Sequence, residues 1–248
     1  MNNIYERLGL HYDTVCEEYG EENVMGVFLY GSQNYGINTP ASDVDTKAIL
    51  IPNINKICTQ EKWESKELLV DEEHCEVKDI REMRNMWFKQ NMNFLEILFT
   101  KYYIVNDKYK EDWKNIKQYA EEISKIDLKK MYKSVMGQIT GTLRSGISTK
   151  KIANALRLLR AIDIVGQGGK YEEAVFQYEI YRSEYKEIRS SSEIKEEHID
   201  SLEYMMKLAK EQEDKFNSYG VDTYTISLIN SLIEYIIEKR IIEDSKNM

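Results

Sequence analysis

The chain has 248 residues, 42% of them hydrophobic and 31% charged, which is ordinary for a soluble globular protein and allows a sizeable core. No apolar stretch approaches the roughly 18 residues that a membrane-spanning helix needs, so no such helix is expected. The net charge of −9 disfavours a tight binder of duplex DNA, because phosphate contacts dominate such binding.

The first hundred residues predict a small sheet with helices. Residues 1–22 show apolar residues at helical spacing, and short apolar runs predict strands over 24–30 and 44–51, the second closed by Pro52. A third strand is predicted over 75–80. The pattern turns helical from Arg81, and we interpret Asp79 as the N-cap of that helix.

After about residue 105 the sequence predicts only helices. They cover 128–142, 150–165 and 194–216, and Asp222 is placed to cap a last one. We therefore predict an α+β protein with an α/β domain over 1–105 and a helical domain over 106–248, packed together rather than tethered.

Cysteine usage and the first residues bear on the compartment. Cys16, Cys58 and Cys75 are too widely spaced for a disulfide framework or a zinc site. The start, MNNIYERLGL, has no basic segment followed by an apolar one, so a secretory signal is not indicated. We expect a reduced, cytoplasmic protein.

The charge is unevenly distributed along the chain. Residues 125–160 hold nine basic side chains against one acid, Asp127, a local charge of +8 that leaves −17 for the remainder. Such a segment suits a phosphate-rich ligand, although a solvated helix surface explains the charge equally well.

The stretch LYGSQNYGINTPASDVDTKAIL, residues 29–50, carries the candidate chemistry. Gly31 and Ser32 directly follow the first predicted strand, where a glycine lets backbone N–H groups approach a phosphate and a serine adds a hydroxyl donor. The same pair is also common turn chemistry.

Asp43 and Asp45 lie two residues apart, so on a strand they point to the same face as Lys47. Two carboxylates about 4 Å apart repel by roughly 4 kcal/mol at an effective dielectric of ~20. A divalent metal would offset that repulsion, since Mg²⁺ takes one or two carboxylates together with substrate phosphates. The alternative is an exposed sheet face with solvated carboxylates.

A strand ending in Gly-Ser, a loop, and then Asp-x-Asp on the next strand resembles the DNA polymerase β-like nucleotidyltransferase superfamily. The stretch YGSQNYGINTPASDVDTKAIL is similar to the signature of the predicted bacterial and phage nucleotidyltransferases in it. The segments KQNMNFLEILF, KKIANALRLLRAIDIVGQGG and VDTYTISLINSLIEYIIE resemble later segments of that group more loosely.

This resemblance implies a small mixed-sheet catalytic unit that transfers a nucleoside monophosphate from an NTP, such as ATP, to an acceptor with release of pyrophosphate. Gly31 and Ser32 would hold the triphosphate, and Asp43 and Asp45 would ligate Mg²⁺ in a two-metal site. A third carboxylate usually completes the site, and Glu76, which alternates with apolar neighbours in HCEVKDI, is the candidate.

Further candidates come from one helix of the helical unit and from one acid among apolar residues. Lys150, Asn154 and Arg157 fall at i, i+4 and i+7 on one helix face, where they meet a phosphate across a cleft or are simply solvated. Lys47, Lys150 and Arg157 are thus candidate nucleotide-binding residues. Glu96 lies among apolar neighbours, and we expect it to pair with a basic residue of the helical unit rather than to act in catalysis.

The sequence leaves three functions open. The first is a Mg²⁺-dependent nucleotidyltransferase whose acceptor is RNA, a protein or a small molecule. The second is a catalytically silent, nucleotide-binding regulator or antitoxin-like module that binds a partner. The third is a helical interaction scaffold with a vestigial α/β unit.

Overall fold

The computed structural model describes residues 4–40, 42–59, 61–177 and 179–246, with the backbone alone for residues 179 and 180. The protein is α+β, with one mixed five-stranded sheet and a helical C-terminal part, which confirms the predicted class. Among these described residues, no helix has both the length and the apolar character needed to cross a membrane.

The sheet contains the three predicted strands and two that the sequence analysis missed. The strands are β1 (Val24–Tyr30), β2 (Asp45–Leu50), β3 (Ser65–Val70), β4 (Glu73–Asp79) and β5 (Tyr103–Val105). Their order is β3-β4-β2-β1-β5, and β2 runs parallel to β4 while the other neighbours are antiparallel. The missed strands, β3 and β5, are the two edges. Most of β3 is exposed and β5 has three residues, so neither shows a clear apolar pattern.

Helices in the first part of the chain flank the sheet: α1 (Ile4–Tyr19), α2 (Ser32–Tyr35), α3 (Ile54–Cys58), α4 (Ile80–Phe88) and α5 (Met92–Leu95). Those that follow are α6 (Lys110–Lys117), α7 (Ala120–Ser124), α8 (Leu128–Arg144), α9 (Thr149–Gly166), α10 (Tyr171–Phe176), α11 (Glu179–Ser190), α12 (Glu196–Glu211), α13 (Glu213–Ser218) and α14 (Thr223–Lys246). Short 3-10 turns occupy Glu21–Asn23, Glu96–Leu98 and Asp107–Tyr109.

Two of these helices begin at the residues that the sequence indicated. The Asp79 carboxylate accepts the N–H of Arg81 at 2.8 Å, and that of Asp222 accepts the N–H of Thr225 at 3.0 Å. Both bonds satisfy donors that a helix start leaves without intrahelical partners. The helix predicted over 194–216 differs, because it breaks at Gln212 into α12 and α13.

Side chains of β2 alternate between two apolar layers. Ala48 and Leu50 pack with α1 on one face, whereas Ile49 joins a larger cluster on the other face that continues through α4, α9 and α14. One core therefore runs from the sheet into the helical part. Asp45 and Lys47 share the face of Ile49, which turns them toward the helices.

Candidate functional site

A cavity of about 420 Å³ lies where the ends of β1 and β2 meet α9 and α11. Its walls bring together six of the eight residues that the sequence indicated: Gly31, Ser32, Asp43, Asp45, Lys150 and Arg157. We call this cavity the cleft. Asn154 also lines it, so the α9 face predicted from the spacing of Lys150, Asn154 and Arg157 does meet the acidic strand.

The turn at the floor of the cleft requires a glycine. Gly31 has a φ of +77°, and a Cβ at this position would lie 2.9 Å from Oδ2 of Asp45. Its backbone N–H donates to Oε1 of Glu96 at 2.8 Å. This N–H was expected to face a phosphate, and the structure instead commits it to a buried carboxylate. Ser32 lines the cleft beside it and is nearly buried.

Two carboxylates form the acidic wall of the cleft. Asp45 is the first residue of β2 and pairs with Tyr30, and Asp43 comes two residues earlier, before the strand. Burial raises the pKa of Asp45 above its ordinary value, and the negative charge of Asp43 raises it further. Interactions with His74, Lys150 and Lys47 lower this pKa without cancelling the increase.

The opposite wall contains a buried guanidinium. Arg157 is 3% exposed, and its Cζ lies 3.8 Å from the centroid of the Tyr35 ring. Its Nη2 donates to Oδ1 of Asn154 at 3.1 Å, while its Nε has no hydrogen-bond partner among the described residues. Burying a cation with an unused donor is costly, so this side of the cleft is suited to an anionic ligand.

Arg189 of α11 completes the basic wall, and the sequence analysis did not identify it. Its Nη2 donates to Oγ of Ser42 at 3.3 Å, and its charge interacts with Asp43 and, more weakly, with Asp45. No motif surrounds Arg189, and the helix that carries it was not predicted. Only the packing of α11 against the 31–45 segment brings it to the acids.

Glu96 links the two walls from beneath. It is 1% exposed, and burial raises its pKa to about 8, although Arg157 and the N–H of Gly31 act in the opposite direction. The sequence predicted an interaction with a basic residue of the helical part, and Arg157 provides it electrostatically. Glu96 thus accepts a hydrogen bond from Gly31 in the acidic wall and interacts electrostatically with Arg157 in the basic wall.

Lys47 and Glu76 are placed differently from the expectation, since neither lines the cleft. Lys47 is 1% exposed, lies between the Tyr30 and Phe94 rings, and donates to Oε2 of Glu76 at 2.5 Å. Although burial favours a higher pKa for Glu76, Lys47 and Lys78 together hold it below its ordinary value. The register pairs Glu76 with Lys47, so Glu76 shares the sheet face of Asp45, but ion pairs with Lys47 and Lys78 neutralise it.

The donor set for a metal is therefore two carboxylates. Among the described residues, no group of three or more His, Cys, Asp and Glu side chains is arranged to hold a metal ion. Asp43 and Asp45 still fit a hard divalent cation that completes its coordination with phosphate oxygens and water. Burial and the charge of Asp43 both raise the pKa of Asp45, and a bound cation would relieve the repulsion between the two carboxylates.

Comparisons with known proteins give little beyond this geometry. No protein-family model matches the sequence, and no curated protein is significantly similar to it. Among solved structures, the chain is similar to the crystal structure of a nucleotidyltransferase-like protein from Exiguobacterium sibiricum 255-15, with a TM-score of 0.34 and 13% identity, over 94% of this chain and 91% of that one. A TM-score of 0.34 is too low to equate two folds, so function has to be argued from the site.

Proposed function

We propose that the cleft binds a nucleoside triphosphate with Mg²⁺ and transfers its nucleoside monophosphate to an acceptor, releasing pyrophosphate. The observation that carries the proposal is the pairing of two opposed walls. One wall holds two carboxylates that repel each other, and the other holds a buried guanidinium with an unused donor. A metal-bound polyphosphate supplies the charge that each wall lacks.

Each wall has a separate task in this proposal. Asp43 and Asp45 would hold Mg²⁺, which when bound supplies positive charge to the phosphate oxygens. Arg157 and Arg189 would bind the triphosphate, with Lys150 at the rim of the cleft. Asn154 and the ring of Tyr35 fix the guanidinium of Arg157, so little freedom is lost when an anion binds.

A cavity of about 420 Å³ agrees with this ligand, since small-molecule sites usually measure roughly 300–1,000 Å³. The proposal leaves out Glu76 and Lys47, because each neutralises the other outside the cleft. The acceptor hydroxyl, on RNA, a protein or a small molecule, would approach from the open side.

A second candidate, nucleotide binding without transfer, is favoured by one observation. The carboxylate expected to complete a three-acid site is held in ion pairs with Lys47 and Lys78. A regulator of this kind would use the same walls to bind the nucleotide and would need no acceptor.

Labelling experiments separate the two candidates. The protein is incubated with each NTP, labelled at the α-phosphate, together with Mg²⁺ and a total lysate as the source of acceptors. We expect Mg²⁺-dependent release of pyrophosphate and label in an acceptor. Binding of NTP without pyrophosphate release would favour the regulator, and absence of NTP binding would contradict both.

A further inference from the structure

We propose that Glu73 is a positioning residue for the acidic wall, fixing the backbone between Asp43 and Asp45 from the face of the sheet opposite the cleft. Its Oε1 accepts the N–H of Val44 at 3.0 Å. This inference rests on the proposed function for its catalytic consequence, but the anchoring itself is a property of the fold.

The anchor lies where the sheet no longer supports the chain. The ladder between β1 and β2 ends at the pair Tyr30–Asp45, and the ladder between β2 and β4 ends at Thr46–Cys75. Asp43 therefore lies beyond both ladders. The carboxylate of Glu73 takes the role that a neighbouring strand has elsewhere, by accepting the Val44 N–H one residue after Asp43.

Glu73 is itself held by two side chains of α1. Its Oε2 accepts from Arg7, with Nη2 at 2.6 Å and Nε at 2.9 Å, and lies 3.2 Å from Nε2 of His11. Both guanidinium nitrogens contact the same oxygen, Oε2, which leaves Oε1 to accept from Val44. These charge-assisted contacts hold the carboxylate to α1, so it can support the Val44 segment.

His11 closes the network on the other side of Asp45. It is fully buried, and its Nδ1 lies 2.7 Å from Oγ1 of Thr46. Burial lowers the pKa of His11, which favours the neutral ring. A neutral ring with its proton on Nε2 donates to Glu73 and accepts from the Thr46 hydroxyl, so both nitrogens are satisfied. Helix α1 therefore supports both neighbours of Asp45, Thr46 directly through His11 and Val44 through Glu73.

Successive side chains point to opposite faces of the sheet. Val44 and Thr46 face α1, whereas Asp45 points into the cleft. The network of Glu73, Arg7 and His11 therefore supports the chain from outside the cleft, where it would not contact a bound nucleotide. Catalysis is sensitive to such positioning, since a displacement of about 1 Å can cost about 100-fold in rate. Loss of Glu73 should therefore impair the acidic wall while leaving the basic wall intact.

Four variants test this role: Glu73→Ala, Glu73→Asp, Glu73→Gln and the control Glu67→Ala. Glu73→Ala removes the acceptor, and Glu73→Asp keeps the charge but shortens the reach. Glu73→Gln keeps an acceptor at the same length. Glu67 lies on the neighbouring strand β3 and pairs with His74 at the surface, so its loss should leave the Val44 anchor unchanged.

Hydrogen exchange of the Val44 amide is the first measurement, and it needs no activity. We expect exchange to rise about tenfold in Glu73→Ala and Glu73→Asp, the equivalent of one hydrogen bond, and to stay near wild type in Glu67→Ala. In Glu73→Gln the rise should be smaller, because the amide oxygen can still accept from Val44 although the amide N–H2 then faces the donors of Arg7. Unchanged exchange in both Glu73→Ala and Glu73→Asp would overturn the anchoring. The Asp variant keeps a negative charge near Arg7, which guards against a variant that fails to fold.

The second measurement is the consequence for the acidic wall. In Glu73→Ala, kcat should fall about 100-fold and half-maximal Mg²⁺ should rise, with little change in the KM for NTP, while Glu73→Gln recovers part of the rate. Wild-type kcat and Mg²⁺ dependence, despite faster exchange at Val44, would overturn the positioning role.

Failure of the proposed function is distinguishable from failure of this inference. If the wild-type protein shows no turnover with any NTP, binding of Mn²⁺ alone, followed by its electron paramagnetic resonance signal, replaces the rate. Weaker Mn²⁺ binding in Glu73→Ala but not in Glu67→Ala supports the positioning role, and equal binding in all variants overturns it.

Discussion

At the residue scale, Asp45 differs from an ordinary surface acid because it is partly buried and lies near the negative charge of Asp43. Burial and the charge of Asp43 make the ionised form of Asp45 unfavourable in the folded protein. When folding raises the pKa of an acid, the stability of the protein falls as the pH rises from the ordinary pKa of that acid through its pKa in the folded state. At neutral pH the acidic wall is therefore a cost to stability that the fold tolerates.

This cost predicts the behaviour of Asp45→Asn. The substitution keeps the size of the side chain but removes the charge that a hard cation needs. We expect loss of Mg²⁺-dependent NTP turnover together with an unchanged or higher melting temperature at pH 7, measured by circular dichroism. Asp200→Asn, at an exposed position of α12, is the control and should retain both properties. An active Asp45→Asn variant would contradict the metal site, as would one that fails to fold.

Glu96 predicts a pH dependence of stability. Its pKa is raised to about 8 by burial, so between about pH 4.5 and 8 the folded state holds a proton that the unfolded state has lost. Stability therefore falls as the pH rises through this window, by at most about 1.4 kcal/mol per pH unit.

The variant Glu96→Gln tests this dependence, because glutamine retains an acceptor for the N–H of Gly31 but does not titrate. Urea unfolding between pH 5 and 8 should show the variant gaining stability relative to wild type as the pH rises. A difference between the two proteins that does not change with pH would show that Glu96 is not protonated in the folded state.

At the element scale, the helices α9 and α11 supply the basic wall. Removing the positive charge on α11 should change the binding of an anion and of a cation in opposite directions. Arg189 faces both the acids and the space that a phosphate would occupy. In Arg189→Ala we therefore expect opposite changes: NTP should bind about tenfold more weakly, the loss of one charge-assisted contact, while Mn²⁺ alone should bind more tightly.

Calorimetric titration with NTP and with Mn²⁺ measures both changes. Glu187→Ala is the control, because Glu187 is an exposed residue of the same helix and does not line the cleft. Changes of the same sign for the two ligands would indicate that α11 has moved rather than that a single charge was lost. Arg157 is less suited to this test, since it packs on Tyr35 and interacts with Glu96, and its removal would also affect stability.

At the scale of the whole molecule, one apolar cluster joins the sheet to the helices. Phe28 of β1 and Trp87 of α4 belong to the same buried cluster as Leu156 of α9 and Ile233 of α14. The boundary predicted near residue 105 thus separates a part that contains the sheet from a helical part, and the two share a core. The cleft lies across this boundary, so its geometry depends on both parts.

A shared core predicts that a fragment of residues 1–105 will not fold alone, because it would expose the apolar face that the helices cover. The full chain should unfold in a single transition, with near- and far-ultraviolet circular dichroism changing together. A cooperative melt of the isolated fragment, or two separate transitions in the full chain, would show instead that the two parts are independent domains.

The sequence by itself determined the α+β class, the strands β1, β2 and β4, and most of the long helices, because apolar periodicity and capping residues act over a few neighbouring positions. It also determined the local parts of the site. Gly31, Asp43 and Asp45 lie on one turn and one strand end, and Lys150, Asn154 and Arg157 lie on one helix face.

Only the tertiary structure decided which charges meet. Arg189 faces the aspartates, Lys47 neutralises Glu76, and Glu73 anchors Val44 through contacts between residues 29 to 147 positions apart. No local pattern encodes such contacts, because they depend on how separate elements pack. The sequence therefore predicted which single residues could act in the site. The packing of separate elements determined their partners, and these partners determine the pKa shifts and the position of the acidic wall.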